Sequence, residues 1–65
     1  MSERTARKIA AELSGEIWNS GGGIHLVVLR RADGRVVAIS DDVACEYESE
    51  EAMMTGEPVS SLALR

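Results

Sequence analysis

Apolar residues recur at three- and four-residue steps along the first part of the chain (Ala6, Ile9, Ala10, Leu13 and Ile17), while Arg4, Arg7, Lys8, Glu12 and Glu16 fall largely elsewhere. This is the period of an amphipathic helix, and it predicts one over residues 3 to 18, with Ser2 placed to cap it. Lys8 and Glu12 are spaced for a weak i,i+4 contact on its polar side. Gly15 interrupts the pattern, because glycine inside a helix costs up to about 1 kcal/mol relative to alanine. Either the helix ends near Ser14 or something packs closely against it there. Trp18 falls in the final predicted turn, and Asn19-Ser20-Gly21-Gly22-Gly23 then stops the helix.

The pattern changes in Ile24-His25-Leu26-Val27-Val28-Leu29-Arg30-Arg31, a β-branched and aliphatic run between glycines and Asp33-Gly34, which reads as a strand. Asp33-Gly34 is the preferred chemistry of a two-residue type I′ turn, with Arg35-Val36-Val37-Ala38-Ile39-Ser40 as the returning strand. Such a turn sets Arg31 opposite Val36, Arg30 opposite Val37, Leu29 opposite Ala38 and Val28 opposite Ile39. One face then carries Ile24, Leu26, Val28, Val37 and Ile39, and the other Val27, Leu29, Val36 and Ala38. Both are apolar. An antiparallel sheet with one wet face alternates cleanly, so a cover over each side is expected.

Beyond Ser40, residues 41 to 47 read as a short strand or extended stretch with Val43, Cys45 and Tyr47 on one face, the competing reading being an acidic turn leading into a helix. Ser49-Glu50-Glu51-Ala52-Met53-Met54 reads as a short helix: Ser49 is its N-cap, acids occupy its first turn, and Gly56 lies just past its end. Pro58 forbids continuation, and residues 59 to 64 close the chain as a strand in which Leu62 and Leu64 alternate with Ser61 and Ala63. The fold class is therefore α+β: an N-terminal helix on a small, mainly antiparallel sheet of three or four strands, with a short second helix, in one domain spanning residues 1 to 65.

Size sharpens the question of cover, since a chain of 65 residues has no room for a second core. Domains of this size gain stability from disulfides, a structural metal, unusually good packing or self-association. A lone cysteine, Cys45, makes no internal bridge, and His25 and Cys45, twenty residues apart without a second member of either pair, do not make a zinc site. Self-association remains, and the expectation is a homodimer in which the second helix and another copy of the chain cover the second sheet face.

The formal net charge is −4, unevenly spread. Residues 1 to 40 carry Arg4, Arg7, Lys8, Arg30, Arg31 and Arg35 against Glu3, Glu12, Glu16 and Asp33, a balance of +2. Residues 41 to 65 carry Asp41, Asp42, Glu46, Glu48, Glu50, Glu51 and Glu57 against Arg65, a balance of −6. Such asymmetry bears on solubility and partner choice. The charged start is followed by no apolar stretch of a secretory signal, and no apolar run approaches a membrane span. With one unpaired thiol, the expected compartment is the cytoplasm.

The chemistry-bearing residues form no set. Gly21-Gly22-Gly23 leaves a predicted helix and enters a strand, the reverse of a phosphate loop. His25 has no nucleophile at a recognisable spacing. The acidic neighbours of Cys45 disfavour its thiolate. The carboxylates of residues 41 to 51 lack the order of a calcium loop, and Arg30, Arg31 and Arg35, with only Trp18 and Tyr47 as aromatics, fall short of a nucleic-acid surface. No catalytic, cofactor-binding or metal residue is therefore assigned, and the chain is not expected to be an enzyme.

The leading expectation is a non-enzymatic regulatory or scaffolding module that binds a protein through its acidic half. Asp41, Asp42, Glu46, Glu48, Glu50 and Glu51 would supply the charge, and Trp18, Met53 and Met54 the adaptable apolar contacts. One alternative is an inhibitor whose carboxylates imitate nucleic-acid phosphates. The other is a small-molecule or catalytic site at a dimer interface near His25, Trp18 and Tyr47.

Overall fold

The computed structural model describes residues 1–64. Helix α1 spans Glu3–Leu13. Ser2 caps it as expected, its Oγ accepting from the Thr5 amide at 3.2 Å. The ion pair along its polar side joins Glu3 and Arg7 at 2.6 Å, in place of the expected Lys8–Glu12 contact.

The helix stops five residues short of its predicted end. Ser14 takes a left-handed conformation (φ 56°) and its amide returns to the Ala10 carbonyl. Gly15 then passes directly against the neighbouring strand: a Cβ there would lie 2.6 Å from Leu29 Cδ2 and 2.9 Å from Val27 Cγ1. Both readings of Gly15 therefore hold, since the helix ends beside it and the chain packs tightly over it.

Residues beyond Gly15, expected as the last helical turn, form strand β1 (Glu16–Gly21). Ile17, four residues after Leu13, fits a helical period and an alternating one equally well over so short a window. Trp18 accordingly lies in a strand. Gly21, Gly22 and Gly23, all at positive φ, do not end a helix but turn β1 into β2 (Ile24–Arg30). A bulge between Asn19 and Gly21 shifts the register as the turn is entered.

The hairpin between β2 and β3 (Val36–Ile39) is present, but its turn is longer than the predicted type I′ loop. Type I′ requires positive φ at both central residues. Gly34 has φ 91°, whereas Ser14 is the sole non-glycine at positive φ among the described residues, so Asp33 does not meet the requirement. Instead the Gly34 amide donates to the Arg31 carbonyl and the Arg31 amide to the Arg35 carbonyl, a three-residue loop of Ala32, Asp33 and Gly34.

The extra residue moves the register by one. Arg30 opposes Val36, Leu29 opposes Val37, Val28 opposes Ala38 and Val27 opposes Ile39. Because side chains alternate with period two, the predicted faces are redistributed: Val27, Leu29, Val37 and Ile39 share one, and Leu26, Val28, Val36 and Ala38 the other. Both faces stay apolar.

Strand β4 (Val43–Tyr47) follows, then helix α2 (Glu50–Thr55) with Ser49 and Gly56 as its caps, then β5 (Ser60–Ala63). The sheet is a five-stranded antiparallel meander in chain order, so the fold is α+β with one more strand than the upper expectation. Helix α1 lies on the face of Val27 and Leu29. Two small residues, Ala6 and Ala10, let it approach closely, and Val27 is fully buried beneath them with Met1, Ile9, Leu29 and Ile39 around the cluster. Helix α2 sits against β3 and β4. Glu50 at its start meets Arg30, whose register position puts it on the opposite face, where Val28 and Val36 are buried.

Candidate functional site

Part of the uneven charge seen along the chain is paired within the fold. Arg30 bridges two elements: its Nε and Nη2 donate to Glu16 at 3.2 and 3.3 Å, and its other contact is the Glu50 carboxylate. Trp18 Nε1 also donates to Glu16, at 3.1 Å. The Arg30 guanidinium, and after it the Trp18 bond, hold the Glu16 carboxyl below the ordinary carboxylate range, and the two carboxylates push Arg30 upward in turn.

On the α1 face a second cluster forms at the same end of the sheet. Glu46 accepts from Arg31 Nη1 at 2.7 Å and lies 3.6 Å from Arg35 Nη1. At the far end the N-terminal ammonium pairs with Asp41 at 3.1 Å and donates to the His25 carbonyl at 3.0 Å. Three of the six candidate acids (Asp41, Glu46 and Glu50) are therefore engaged internally. Asp42, Glu48 and Glu51 are exposed and have no ion-pair partner among the described residues. Asp42 and Glu48 flank β4 at its two ends, about 20 Å apart at the usual strand rise.

On the face away from α1 lies a concavity of about 190 Å³, lined by Leu26, Ala38, Ile39, Ser40, Val43, Cys45 and Tyr47. Its floor follows from the register: Ala38 opposes Cys45, and Val36 opposes Tyr47, so β2, β3 and β4 present Leu26, Ala38, Val43, Cys45 and Tyr47 to one side. Burial raises the Tyr47 hydroxyl above its ordinary value, and the adjacent Cys45 adds to the shift. The lining holds one thiol and two hydroxyls among aliphatic groups. It is suited to apolar side chains, with few groups to orient a polar ligand.

The predicted apolar anchors separate. Trp18 points to the concave face, where it is half-buried and bonded to Glu16. In α2, Met53 is half-buried and Met54 is 72% exposed. His25, half-buried, lies on the α1 face, its Nδ1 3.1 Å from the Gly23 carbonyl and its Nε2 3.8 Å from Glu3. The sheet thus stands between His25 and the pair Cys45 and Tyr47, and within one chain the suggested grouping of His25, Trp18 and Tyr47 does not converge. Among the described residues no group of three or more His, Cys, Asp or Glu side chains could hold a metal ion, and no helix is long and apolar enough to cross a membrane.

The alternation of Val43, Cys45 and Tyr47 was visible in the sequence, whereas the joining of Leu26 and Ala38 to that row was not. The predicted register placed those two on opposite faces, and the longer loop brings them together. No known protein family, characterised protein or solved structure matches the chain.

Proposed function

We propose that this chain is a non-enzymatic protein-binding module whose open sheet face receives an apolar segment of a partner that carries basic residues beside it. The observation that supports the reading is the concavity of about 190 Å³ along β4, apolar in its lining, with Asp42 and Glu48 adjoining the two ends of that strand and without an ion-pair partner among the described residues. Apolar burial would supply the affinity, and the free acids at Asp42, Glu48 and Glu51 would steer a cation-bearing segment and set its orientation. The acidic half acts in this reading through those three residues, since Asp41, Glu46 and Glu50 already have cations beside them.

The non-enzymatic part rests on the separation of His25 from Cys45 by the sheet, which denies either one the base or nucleophile it would need. A regulatory role and a cytoplasmic location, where a half-buried free thiol such as Cys45 persists, belong to the same proposal.

The test is a titration of the ¹⁵N-labelled chain with a short peptide alternating leucine and lysine, against a control in which serine replaces lysine. The expected result is amide shifts confined to Leu26, Ala38, Val43, Cys45 and Tyr47, weaker for the control and reduced by salt. Shifts on the α1 face, or none at millimolar peptide, would reject the reading.

A further inference from the structure

The two edges of the sheet are built differently. At β1 the edge begins with Glu16, which is tied to Arg30, and it ends in a bulge beside the glycine turn. Charge and bulge are both devices that blunt an edge against pairing. At β5 neither is present: residues 58 to 64 carry no charge, Pro58 lies before the strand, and the pairing with β4 is regular from Ser60 to Ala63. All four strand residues are exposed, with Leu62 at 66%.

The register states which backbone groups face outward. The Leu64 amide donates to the Asp42 carbonyl, and in an antiparallel ladder the groups turned toward the neighbour alternate. Ser60, Leu62 and Leu64 therefore bond toward β4. Ser61 and Ala63 direct their amides and carbonyls away from the sheet.

The geometry points to self-association of the chain through β5, with two copies pairing antiparallel about a two-fold axis at Leu62. In that register Ser61 of each copy lies opposite Ala63 of the other, so each outward amide meets a carbonyl in four main-chain bonds. Leu62 faces Leu62 as a close, non-hydrogen-bonded pair with Cα atoms about 4.5 Å apart. A register centred on Ser61 is poorer, because it would set Ala63 against Val59, whose amide is already bonded to the Glu46 carbonyl at 2.8 Å.

The occupant is a second copy because the outward groups of this short edge are complementary to themselves and no charge opposes the pairing. The size of the edge sets the strength: pairing through a four-residue strand covers well under the roughly 800 Å² per partner of a standard interface, so the dimer is a weak one. The same axis places both concave faces on one side of a ten-stranded sheet and both α1 helices on the other. The pairing stands independently of the proposed binding function.

Sedimentation equilibrium of the full chain from about 10 µM to 1 mM, with hydrogen exchange on the same samples, tests this. We expect a monomer–dimer equilibrium within that range, with the Ser61 and Ala63 amides gaining protection as concentration rises. Leu62→Lys sets like charges face to face and should weaken association at least about tenfold, while Ile17→Lys on the β1 edge leaves it unchanged. In a Cys45→Ser background, Leu62→Cys should form a disulfide-linked dimer faster than Ser61→Cys, as the close pair geometry suits a disulfide. A monomer at 1 mM, or a dimer that leaves the Ser61 and Ala63 amides unprotected, would overturn the proposal. The exchange readout uses the unaltered chain, so it stands even if a variant misfolds.

Discussion

The two faces of the sheet receive unequal cover from the same chain. On one, α1 contributes three turns, a serine cap and two alanines that let it sit directly on Val27, which is fully buried. On the other, the six residues of α2 shelter the end near Val28 and Val36 and leave Leu26, Ala38, Val43, Cys45 and Tyr47 around an open concavity. The difference follows from supply. A helix long enough to be amphipathic over several turns roofs a sheet, whereas a helix of under two turns holds one corner. A chain of this size spends its first thirteen residues on one roof and has no equivalent left for the second.

The largest test of this contrast is truncation on each face. Val27→Ala, beneath α1, should cost about 2–3 kcal/mol in urea unfolding. Leu26→Ala removes more carbon but from the half-exposed face, and should cost about 1 kcal/mol or less, because water already reaches the site. Equal losses would mean that the two faces are equally packed.

The approach of α1 to the sheet passes through Gly15. Gly15→Ala places a methyl against Leu29 and Val27, and a net loss of about 1–2 kcal/mol is expected, the overpacking outweighing the entropic gain of losing a glycine. A stabilised Gly15→Ala protein would show that the helix has room to lift.

Smaller effects come from the caps. Ser2→Ala should lower stability by about 1 kcal/mol. Ser49→Ala, on a helix that carries less of the core, should cost about half of that or less. A reversal of this order would make α2, not α1, the dominant cover.

The smallest effect is a pH window, read from thermal unfolding. The folded-state value for Glu16 is lowered by Arg30 and then Trp18, so its contribution is present above the ordinary glutamate range and is lost as pH falls through the lowered value. Tyr47 is raised by burial and then by Cys45, so its contribution is present below the ordinary tyrosine value of 10.0 and is lost as pH climbs through the raised one. Glu16→Gln should flatten the acid limb and Tyr47→Phe the alkaline limb, each slightly, as both groups lie near solvent. An unchanged alkaline limb in Tyr47→Phe would remove the tyrosine from the account.

The departures from expectation share one cause. Ser2, Ser49, Gly56 and the strand at Ile24 were legible because capping and β-branched runs act through neighbours in the chain. β1 was not, because Ile17 serves a helix and a strand alike, and the choice was made by Gly15 fitting under Leu29. The hairpin register was missed because Asp33-Gly34 is compatible with more than one loop, and a single added residue moves every β3 side chain to the other face relative to β2. The row of Val43, Cys45 and Tyr47 was legible as an alternation, but that Leu26 and Ala38 complete the concavity depended on that register.

Local preference alone settled where both helices begin, that the segments after Gly23 and after Gly34 extend, and that the sheet is apolar on both sides. Only the folded chain decided which residues share a face, that the arginines around the hairpin meet Glu16, Glu46 and Glu50, and that β5 stands as a bare edge. The reason is physical. Propensity and capping are energies of adjacent residues, whereas register, ion pairing and edge exposure depend on contacts between different elements of the fold.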